Sequence, residues 1–267
     1  MVEFNIAEVE AGIAKTQFAG RMMHLESVGS TSTLALEAAQ AGVRTGVWVA
    51  DEQTAGRGRG GHRWHSVAGD GLYVSVLVTP KLPMNLALWI SLATGLAVKE
   101  AIAETTGLSS DIRWPNDLLI HGKKFGGILV ETAIAPAAAQ QGDATLRYAV
   151  IGIGINLNHP SFPDEISKIA TSLFLEGGKS VRREPVLASL LRSLERELDL
   201  LETDGGSGLL ERFAAASSWV KGKRVRVEEG GGYEGVTSGL DARGFLQVDG
   251  DDGVRRTVLS GGVREAQ

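Results

Sequence analysis

Three stretches of the chain carry the spacing of apolar residues that predicts helices. Residues 31–40 begin with three hydroxyl side chains, which cap helices well, and they stop before a glycine, so we expect a short helix. Pro83 precedes a long stretch through about Thr106, and Gly107 supplies its C-terminal stop. From Pro185 onward, leucines line one helical face and charged residues the other, which predicts a helix packed on the core. These leucines are Leu187, Leu190, Leu191, Leu194, Leu198 and Leu201.

Apolar stretches between these helices predict strands. TGVWVADEQ, GLYVSVLVT and LRYAVIGIGINLN are each dominated by apolar residues over lengths typical of strands, and the second is nearly all apolar, as in a strand covered on both faces. DIRWPNDLLIHGKKFGGILVETAIA predicts two strands around a tight turn at residues 121–123, with Pro115 ending or bulging the first. PAAAQQGD predicts an exposed loop tip, and HPSFPDEISKIATSL predicts a loop with a short helix.

The pattern changes near Val220, where short alternating stretches separated by Gly and Asp turns begin. From Gly222 the chain reads as about 45 residues of such strands, which is typical of a small all-β barrel. We therefore expect two domains, one of residues 1–219 and one of residues 220–267.

Composition narrows the class of protein. The 267 residues include no cysteine, which excludes disulfides, thiolate metal sites and a cysteine nucleophile and fits a reducing cytoplasm. The net charge of -5 argues against a general nucleic-acid coat. The N-terminus carries Glu3, Glu8 and Glu10 and no long apolar run, so it is not a secretory signal. Polar residues interrupt the stretch 86–102, so we expect no membrane-spanning helix and a cytoplasmic protein.

The loop sequence DEQTAGRGRGGHRWHS contains the pattern G-x-G-x-x-G, from Gly56 to Gly61. A dinucleotide-binding turn of this pattern needs a strand before it and a helix after it. The strand is predicted, but HRWHSVAGDGLYVSVLV leads through glycines into another strand, so the context contradicts that interpretation. An RGG-like RNA-binding segment is usually repeated and disordered, whereas this chain holds one copy inside a folded, acidic sequence.

The composition of this loop favours a lid that orders a substrate over a surface loop without function. Glycines let the backbone approach a ligand closely, and Arg57, Arg59 and Arg63 supply forked donors for phosphate or carboxylate. Ordering ten such residues costs on the order of 10–20 kcal/mol of conformational entropy, much of which contacts with an anionic ligand must offset. We therefore expect a mobile loop that closes when the ligand arrives and excludes water from the site.

A second group of polar residues follows the predicted break at Pro115. Asn116 and Asp117 stand at the break, where such a pair taken alone is more often a turn former than a site. Lys124 begins the return strand and precedes Phe125–Gly126–Gly127. A lone strand lysine is usually solvated, but small residues beside it would let a ligand lie against the backbone.

Together the two groups resemble the biotin protein ligase family. The resemblance is carried by GRGR followed by Trp64, by WPND, and by a lysine seven residues after that Asp and followed by FGGILVE. VGSTSTLALEAAQAG, GIGIN at 152–156 and ATSL at 170–173 are similar to further family motifs, and the C-terminal stretch resembles the family's SH3-like domain. The resemblance covers the chain from about residue 22 to its end. It implies an α+β fold, a mixed β-sheet with helices packed on it (the class II synthetase-like biotin ligase catalytic domain), plus a small C-terminal SH3-like β-barrel.

The resemblance also implies an activity. Members of the family are ATP-dependent biotin–protein ligases, which join biotin to AMP with release of pyrophosphate and then transfer biotin to one lysine of a biotin carboxyl carrier protein. ATP and biotin would be substrates, with Mg²⁺ accompanying the ATP phosphates. The arginines and the lysine suit this chemistry, because a carboxylate must approach a polyphosphate and positive charge can neutralise both anions. A lid suits it too, because a mixed anhydride hydrolyses easily.

The family's site residues carry over to positions of this chain as expectations. Arg59 and Lys124 are expected to act on the reacting groups, and Asp117 is a candidate for orienting the incoming carrier lysine or lowering its proton affinity. The residues expected to contact the adenylate are Arg59, Trp64, Asn116, Lys124 and Asn156. The residues expected to contact biotin are Ser30, Thr31, Ser32, Gln53, Gly56, Arg57, Gly58, Arg59, Lys124, Gly126, Gly127 and Ile128.

Three positions depart from the family pattern. Ser32 stands where the family often has asparagine, so its shorter hydroxyl would reach the ligand through a water or leave the contact to Thr33. Gly60 and His62 stand where some members carry arginine, which makes the loop less basic and predicts weaker retention of the adenylate.

The five histidines show no zinc-like spacing, so we expect no metal site built from the protein alone.

The resemblance leaves several features of partners and function open. Many members carry an N-terminal winged helix-turn-helix, but only about 20 residues precede the matched region, so we expect no DNA binding. Membrane association is not expected, and monomer and homodimer remain alternatives. The competing functions are a lipoate or octanoate transferase of the same fold and a non-catalytic binder of biotin or a nucleotide.

Overall fold

The computed structural model describes residues 4–134, 144–203, 206, 208–260 and 262–266. The predicted loop tip PAAAQQGD lies outside the described residues. Within these ranges, the strands of a larger sheet are β1 (Met22–Val28), β2 (Gly46–Gln53), β3 (Gly71–Val78), β4 (Asp111–Arg113), β5 (Asp117–Ile120), β6 (Lys123–Ile134) and β7 (Leu146–Asn156). Their order across the sheet is β1-β2-β3-β7-β6-β5-β4.

The larger sheet is mixed, as expected. β1 and β2 run parallel, while every other neighbouring pair is antiparallel. β3 is buried along its whole length, which confirms that it is covered on both faces. β1 has no predicted counterpart. Because it lies at the sheet edge and is half exposed, its sequence MMHLESV lacks the apolar run that identifies β3.

Helices cover both faces of this sheet. They are α1 (Ile6–Gly12), α2 (Thr31–Gln40), α3 (Ala87–Thr106), α4 (Asp164–Ser167), α5 (Leu173–Gly177), α6 (Arg183–Thr203) and α7 (Leu209–Ala216). The helices α3 and α6 pack together and bury the alternate β3 residues Leu72, Val74 and Val76. The helix α2 covers the opposite face against Trp48 and Leu77. Its first turn therefore lies on the same side of β3 as residues 73 and 75.

The helix α3 ends where the sequence predicts. Gly107 caps its C-terminus in the left-handed conformation, with φ of 72°. Together with the turn before it, Met84–Thr106 is long and apolar enough to cross a membrane by length and composition, and it is the one such segment among the described residues. Of its apolar window, 61% is buried inside the structure, because α3 packs against α6 and against the strands β4, β5 and β6. Its apolar character is thus accounted for by the core.

The predicted strand before the turn at 121–123 is two strands. Residues 114–116 separate β4 from β5, and the Trp114–Pro115 peptide is cis. The two short strands pair antiparallel, so Arg113 lies directly opposite Asp117. Pro115 thus ends a strand, one of the two outcomes expected of it, and the break brings side chains from both strands together.

A second sheet follows Trp219. Its strands are β8 (Lys221–Val227), β9 (Tyr233–Leu240), β10 (Leu246–Gly250), β11 (Arg255–Val258) and β12 (Val263–Glu265), all antiparallel in the order β11-β10-β9-β8-β12. The indole of Trp89 donates to the carbonyl of Arg243, and the indole of Trp114 donates to that of Gly244, both at 2.9 Å. Buried residues of both sheets share one hydrophobic core. The boundary at residues 219 and 220 stays a prediction.

Candidate active site

A buried cluster of hydroxyl and amide groups lies where α2 begins. The hydroxyls of Thr31 and Ser32 lie 2.8 and 3.0 Å from the hydroxyl of Ser75 on β3. The side-chain oxygen of Gln53, Oε1, accepts from the backbone N–H of Thr31 at 2.9 Å and from the hydroxyl of Thr31 at 3.1 Å. The amide of Gln53 donates to Ser66 at 3.2 Å. The cluster offers fixed donors and acceptors without net charge, which suits a neutral polar group of a ligand.

Ser75 is a member of this cluster that the sequence analysis missed. It is fully buried in a strand whose other residues from Leu72 to Val78 are apolar or aromatic. A buried serine hydroxyl among such residues needs a hydrogen-bond partner, and this requirement was the signal in the sequence that could have identified Ser75. Thr33, expected as a substitute contact for Ser32, is exposed and does not line the cavity. The hydroxyl that Ser32 contacts therefore belongs to Ser75 of β3 and not to Thr33.

A cavity of about 40 Å³ adjoins the cluster and brings most of the predicted site residues together. It runs between the loop at 57–64 and the strands β6 and β7. The predicted residues that line it are Thr31, Ser32, Gln53, Arg57, Gly58, Arg59, Trp64, Asn116, Lys124, Gly127 and Ile128. Residues separated by almost a hundred positions in sequence thus meet at one place.

Four predicted contact residues lie outside this cavity. Ser30 precedes α2, and its buried hydroxyl has no hydrogen-bond partner among the described residues. A Cβ at Gly56 would lie 2.7 Å from the carbonyl of Trp64, and one at Gly126 would lie 2.9 Å from the side chain of Leu118. These glycines permit close packing within the protein. Asn156 is buried and donates to the carbonyl of Thr171 at 3.0 Å.

The indole of Trp64 packs over two glycines that are directly opposite each other in the sheet, Gly127 of β6 and Gly154 of β7. A Cβ at Gly127 would lie 3.2 Å from the ring, and one at Gly154 would overlap it, at 2.5 Å from Cε2. The ammonium of Lys124 lies 5.4 Å from the ring centroid, within range of a cation–π contact. The indole N–H is buried and has no partner among the described residues. The two glycines thus create the space that Trp64 fills beside Lys124.

Lys124 and Asp117 form a partly buried ion pair on neighbouring strands. The ammonium of Lys124 contacts Oδ1 of Asp117, while Arg113 donates to Oδ2 through Nη2 at 2.5 Å and Nε at 3.1 Å. Burial alone would raise the pKa of Asp117, but the charges of Lys124 and Arg113 outweigh it and hold that pKa below its usual range. Asp117 does not line the cavity, so it reaches the ligand space only through Lys124.

The loop between β2 and β3 folds over the cavity as a short hairpin. The N–H of Gly58 donates to the carbonyl of His62 at 2.7 Å, and that of Trp64 donates to Gly56 at 3.0 Å. Gly60 and Gly61 make the tight turn with φ of 63° and 79°, values that a glycine tolerates easily. Residues 56–64 are called the lid below. The expectation that this loop is mobile until a ligand arrives stays a prediction.

Each lid arginine is held by a protein group. Arg57 forms a bidentate pair with Glu131 of β6, at 2.7 and 3.0 Å, and Arg63 donates to the carbonyl of Thr54. Arg59 donates to Oδ1 of Asn116 at 2.9 Å and to the carbonyl of Ser260 at 2.6 Å. Burial lowers the pKa of the Arg59 guanidinium, and the charges of Asp117 and Glu229 oppose that shift. Neither Glu131 nor Ser260 was predicted from the sequence.

A second cavity, of about 170 Å³, adjoins the first. Arg59 and Ile128 line both cavities, so the guanidinium of Arg59 stands where they meet. The wall of the second cavity is otherwise mainly apolar and is formed by Ala87, Leu88, Ser91, Pro115, Val130 and Thr132. The arrangement provides two adjoining spaces with an arginine between them and a lysine beside the first.

Comparison with known proteins gives the family. Residues 24–156 match the biotin/lipoate A/B protein ligase family, and residues 221–263 match the biotin protein ligase C terminal domain. The biotin–[acetyl-CoA-carboxylase] ligase of Mycobacterium tuberculosis is 34% identical over 88% of this chain and 84% of its own length. The bifunctional ligase/repressor BirA of Bacillus subtilis is 33% identical over 94% of this chain and 76% of its own length.

A solved structure agrees with these relatives. Biotin protein ligase from Aquifex aeolicus, in complex with biotin and ATP, matches with a TM-score of 0.78 and 30% identity, over 92% of this chain and all of that one. Fold, site and relatives point to one class of enzyme, the ligases that activate a small carboxylic acid for attachment to protein. The chain belongs to the biotin protein ligase family. The predicted fold, a mixed sheet with packed helices and a small SH3-like C-terminal unit, is confirmed.

Proposed function

We propose that this chain is an ATP-dependent biotin–protein ligase that makes biotinyl-5′-AMP and transfers biotin to a lysine of a biotin carboxyl carrier protein. The observation that carries the proposal is the first cavity. It combines an uncharged polar cluster at one end with Lys124 and Arg59 at the other. Biotin has a neutral polar ureido ring at one end and a carboxylate at the other, so its ends match those of the cavity.

In the first step, an oxygen of the biotin carboxylate attacks the α-phosphorus of ATP, and the bond to pyrophosphate breaks. Two anions must approach each other, so positive charge in a water-poor site lowers the barrier. We assign Lys124 to the carboxyl and phosphate oxygens, because its ammonium lies near Gly127 and Trp64 at the edge of the cavity. We assign Arg59 to the nucleotide side, because it lines both cavities.

Mg²⁺ enters this proposal only with the ATP phosphates. Among the residues that the structure describes, no group of three His, Asp or Glu side chains could hold a metal. Protein kinases and ATPases likewise bind Mg²⁺ mainly through substrate phosphates and one or two carboxylates. When bound, the ion would neutralise phosphate charge, while Lys124 and Arg59 orient the reacting oxygens.

In the second step, the neutral amine of a carrier lysine attacks the carbonyl carbon of the mixed anhydride. The bond from that carbon to the phosphate oxygen breaks, AMP leaves with its electron pair, and the nitrogen loses a proton to become the amide. The lid supports this step by excluding water, which would otherwise hydrolyse the anhydride. Both oxygens of Asp117 already accept from Arg113 and Lys124. We therefore assign Asp117 first to the placement of Lys124. The predicted role of Asp117 toward the carrier lysine stays a prediction, as do the cytoplasmic location and any homodimer.

The direct test is carrier modification. The protein is incubated with biotin, Mg²⁺-ATP and an apo biotin carboxyl carrier domain, and the carrier is weighed by mass spectrometry. We expect one biotinyl group on the carrier lysine and none on a carrier in which that lysine is replaced by arginine. A competent carrier that stays unmodified would refute the proposal. A parallel reaction with lipoate tests the competing substrate, and modification by lipoate alone would reverse the assignment.

A further inference from the structure

We propose that Arg113 is a positioning residue for adenylate formation, acting through Asp117 to orient Lys124 and to keep its charge available to the substrates. The inference rests on the proposed function. Arg113 lines neither cavity, so it acts on the ligand only through its partners. Its place in the chain, just before the break at residues 114–116, gives it a fixed relation to Asp117 that the sequence alone does not reveal.

The strand register places these groups. Arg113 at the end of β4 and Asp117 at the start of β5 are directly opposite each other in the antiparallel pair. The side chains of both residues are mostly buried, with about one seventh of each exposed. Lys124, on the next strand, contacts the other carboxylate oxygen and is about one third exposed. The three groups thus form a row that leads from the protein interior to the cavity.

Arg113 and Lys124 contact different oxygens of the Asp117 carboxylate. Both donors from Arg113 go to Oδ2, through Nε and Nη2, while the ammonium of Lys124 contacts Oδ1. Two N–H groups of the rigid guanidinium converge on Oδ2, which holds that oxygen and leaves Oδ1 to Lys124. Oδ1 is therefore directed at Lys124. A lysine at position 113 would keep the charge but would leave the carboxylate free to rotate.

The charge balance gives Arg113 a second effect. Asp117 and Lys124 alone would make a neutral pair, and a substrate anion would meet little net attraction. With Arg113 on the same carboxylate, the row carries a net charge of +1. Because opposite charges interact strongly where water is scarce, this excess charge favours the carboxylate and phosphate oxygens beside Lys124.

The guanidinium of Arg113 also contacts an aromatic ring. Its guanidinium carbon lies 5.4 Å from the ring of Trp219, which is 5% exposed and lies just before β8. The ammonium of Lys223 lies 5.0 Å from the same ring. Cation–π contacts of this kind favour one orientation of the guanidinium. The row therefore begins at the junction between the two sheets and ends at the reacting groups.

A double-mutant cycle tests the inference. The variants are Arg113→Gln, Arg113→Lys, Asp117→Asn and the Arg113→Gln/Asp117→Asn double. The control is Arg147→Gln, which removes the same charge from an exposed position on β7. Each is assayed by biotin-dependent exchange between pyrophosphate and ATP, which reports adenylate formation without a carrier. Thermal unfolding of each variant shows whether it is folded at the assay temperature.

We expect Arg113→Gln to lower kcat for exchange about tenfold, less than the loss of a group that contacts the reacting atoms directly. KM for biotin should change less than about twofold, because the polar cluster that recognises the ring is untouched. Arg113→Lys should recover part of kcat. The double variant should be no slower than Asp117→Asn alone, because coupled residues are not additive. Arg147→Gln should match the parent protein.

Two results would overturn the inference. One is an Arg113→Gln variant that is folded and as active as Arg147→Gln. The other is a double variant in which the full loss caused by Arg113→Gln is added to that of Asp117→Asn. Should Arg113→Gln fail to fold, the folded Arg113→Lys variant decides, and parent-like kcat in it would contradict the assigned role of the fork. Absence of biotin-dependent exchange in the parent protein would instead refute the proposed function itself.

Discussion

Two regions place cations beside the first cavity, and they hold them differently. The wall, formed by the row Arg113–Asp117–Lys124 on β4, β5 and β6, keeps its shared carboxylate buried between two cations. The lid instead pairs Arg57 with Glu131, at a place where 41% of the arginine side chain and 25% of the glutamate side chain are exposed. β5 and β6 have ladder hydrogen bonds on both sides and β4, at the sheet edge, has them on one side. The lid forms a hairpin through its own backbone hydrogen bonds and contacts the rest of the protein mainly through its side chains.

The difference shows how one site can be both prepared and accessible. Removing one partner of a fully buried pair costs about 3–5 kcal/mol. The carboxylate of Asp117 is about one seventh exposed and contacts two cations, so it lies nearer that limit than the pair of the lid does. We therefore expect the wall to keep its geometry whether or not a ligand is bound. An exposed ion pair contributes about 0–1 kcal/mol, so the lid can exchange Glu131 for a ligand at little cost. We therefore expect Lys124 to be preorganised and the lid to be the part that opens.

The largest expected effect follows from removing the side chain of Lys124, the residue of the wall that lines the first cavity. Lys124→Ala should lower kcat for pyrophosphate exchange about 10²–10³-fold, because it removes a charge directed at the reacting oxygens. Biotin affinity measured by calorimetry should fall much less. Lys123→Ala is the matched control, since Lys123 is the exposed neighbour on the same strand. Equal loss in both variants would show that Lys124 has no special role.

Replacing Arg59 of the lid should have the next largest effect. Arg59→Gly removes charged hydrogen bonds worth about 1.5–3 kcal/mol each and opens the boundary between the two cavities. Biotinyl-AMP should then leave faster, and lysines of bystander proteins should become labelled. The release rate of the adenylate in a chase experiment is the measurement. A rate equal to that of the parent protein would refute the role given to Arg59.

A substitution on β7, where Trp64 of the lid packs on Gly154, tests the attachment of the lid further. Gly154→Ala adds a Cβ that overlaps the indole of Trp64, and overpacking of this kind costs about 1–3 kcal/mol. We expect weaker biotin binding by calorimetry and a lower unfolding temperature. Gly29→Ala is the control, because a Cβ there would meet no atom within 4 Å. An unchanged affinity in Gly154→Ala would show that Trp64 moves aside freely.

The smallest expected effect concerns the exposed pair of the lid. Glu131→Gln removes the partner of Arg57 and should speed adenylate release only about two- to fivefold, in line with the small free energy of exposed ion pairs. The effect should shrink at high ionic strength, since salt screens exposed charges. An effect as large as that of Arg59→Gly would mean that the two regions are held with equal strength.

The sequence predicted the fold and most of the residues that line the first cavity, but it missed several of their neighbours. The roles of the predicted residues stay predictions. The motifs around the lid and around WPND named Arg59, Asn116, Asp117 and Lys124 through their family resemblance. Glu131 and Ser260 were missed because their roles depend on which segments the fold brings to the lid. Asn156 was predicted at the nucleotide and lies buried against Thr171, outside both cavities.

Arg113 shows the same limit in its clearest form. The residue was visible beside Trp114, but its contact with Asp117 depends on the break at residues 114–116. A continuous strand through these residues would have placed the side chains of positions 113 and 117 about 13 Å apart along the strand axis. Only the pairing of β4 with β5 makes them neighbours, and spacing along the chain does not report that pairing.

Hydrogen–deuterium exchange, followed by mass spectrometry with and without biotin and ATP, tests the contrast between wall and lid most directly. We expect the amides of the lid to exchange quickly in the free protein and to become protected when both substrates are present. The amides of β5 and of β6 from residue 123 to residue 128 should be protected equally in both states. Ligand-dependent protection of the wall as large as that of the lid would contradict the account, and so would a lid fully protected without substrates.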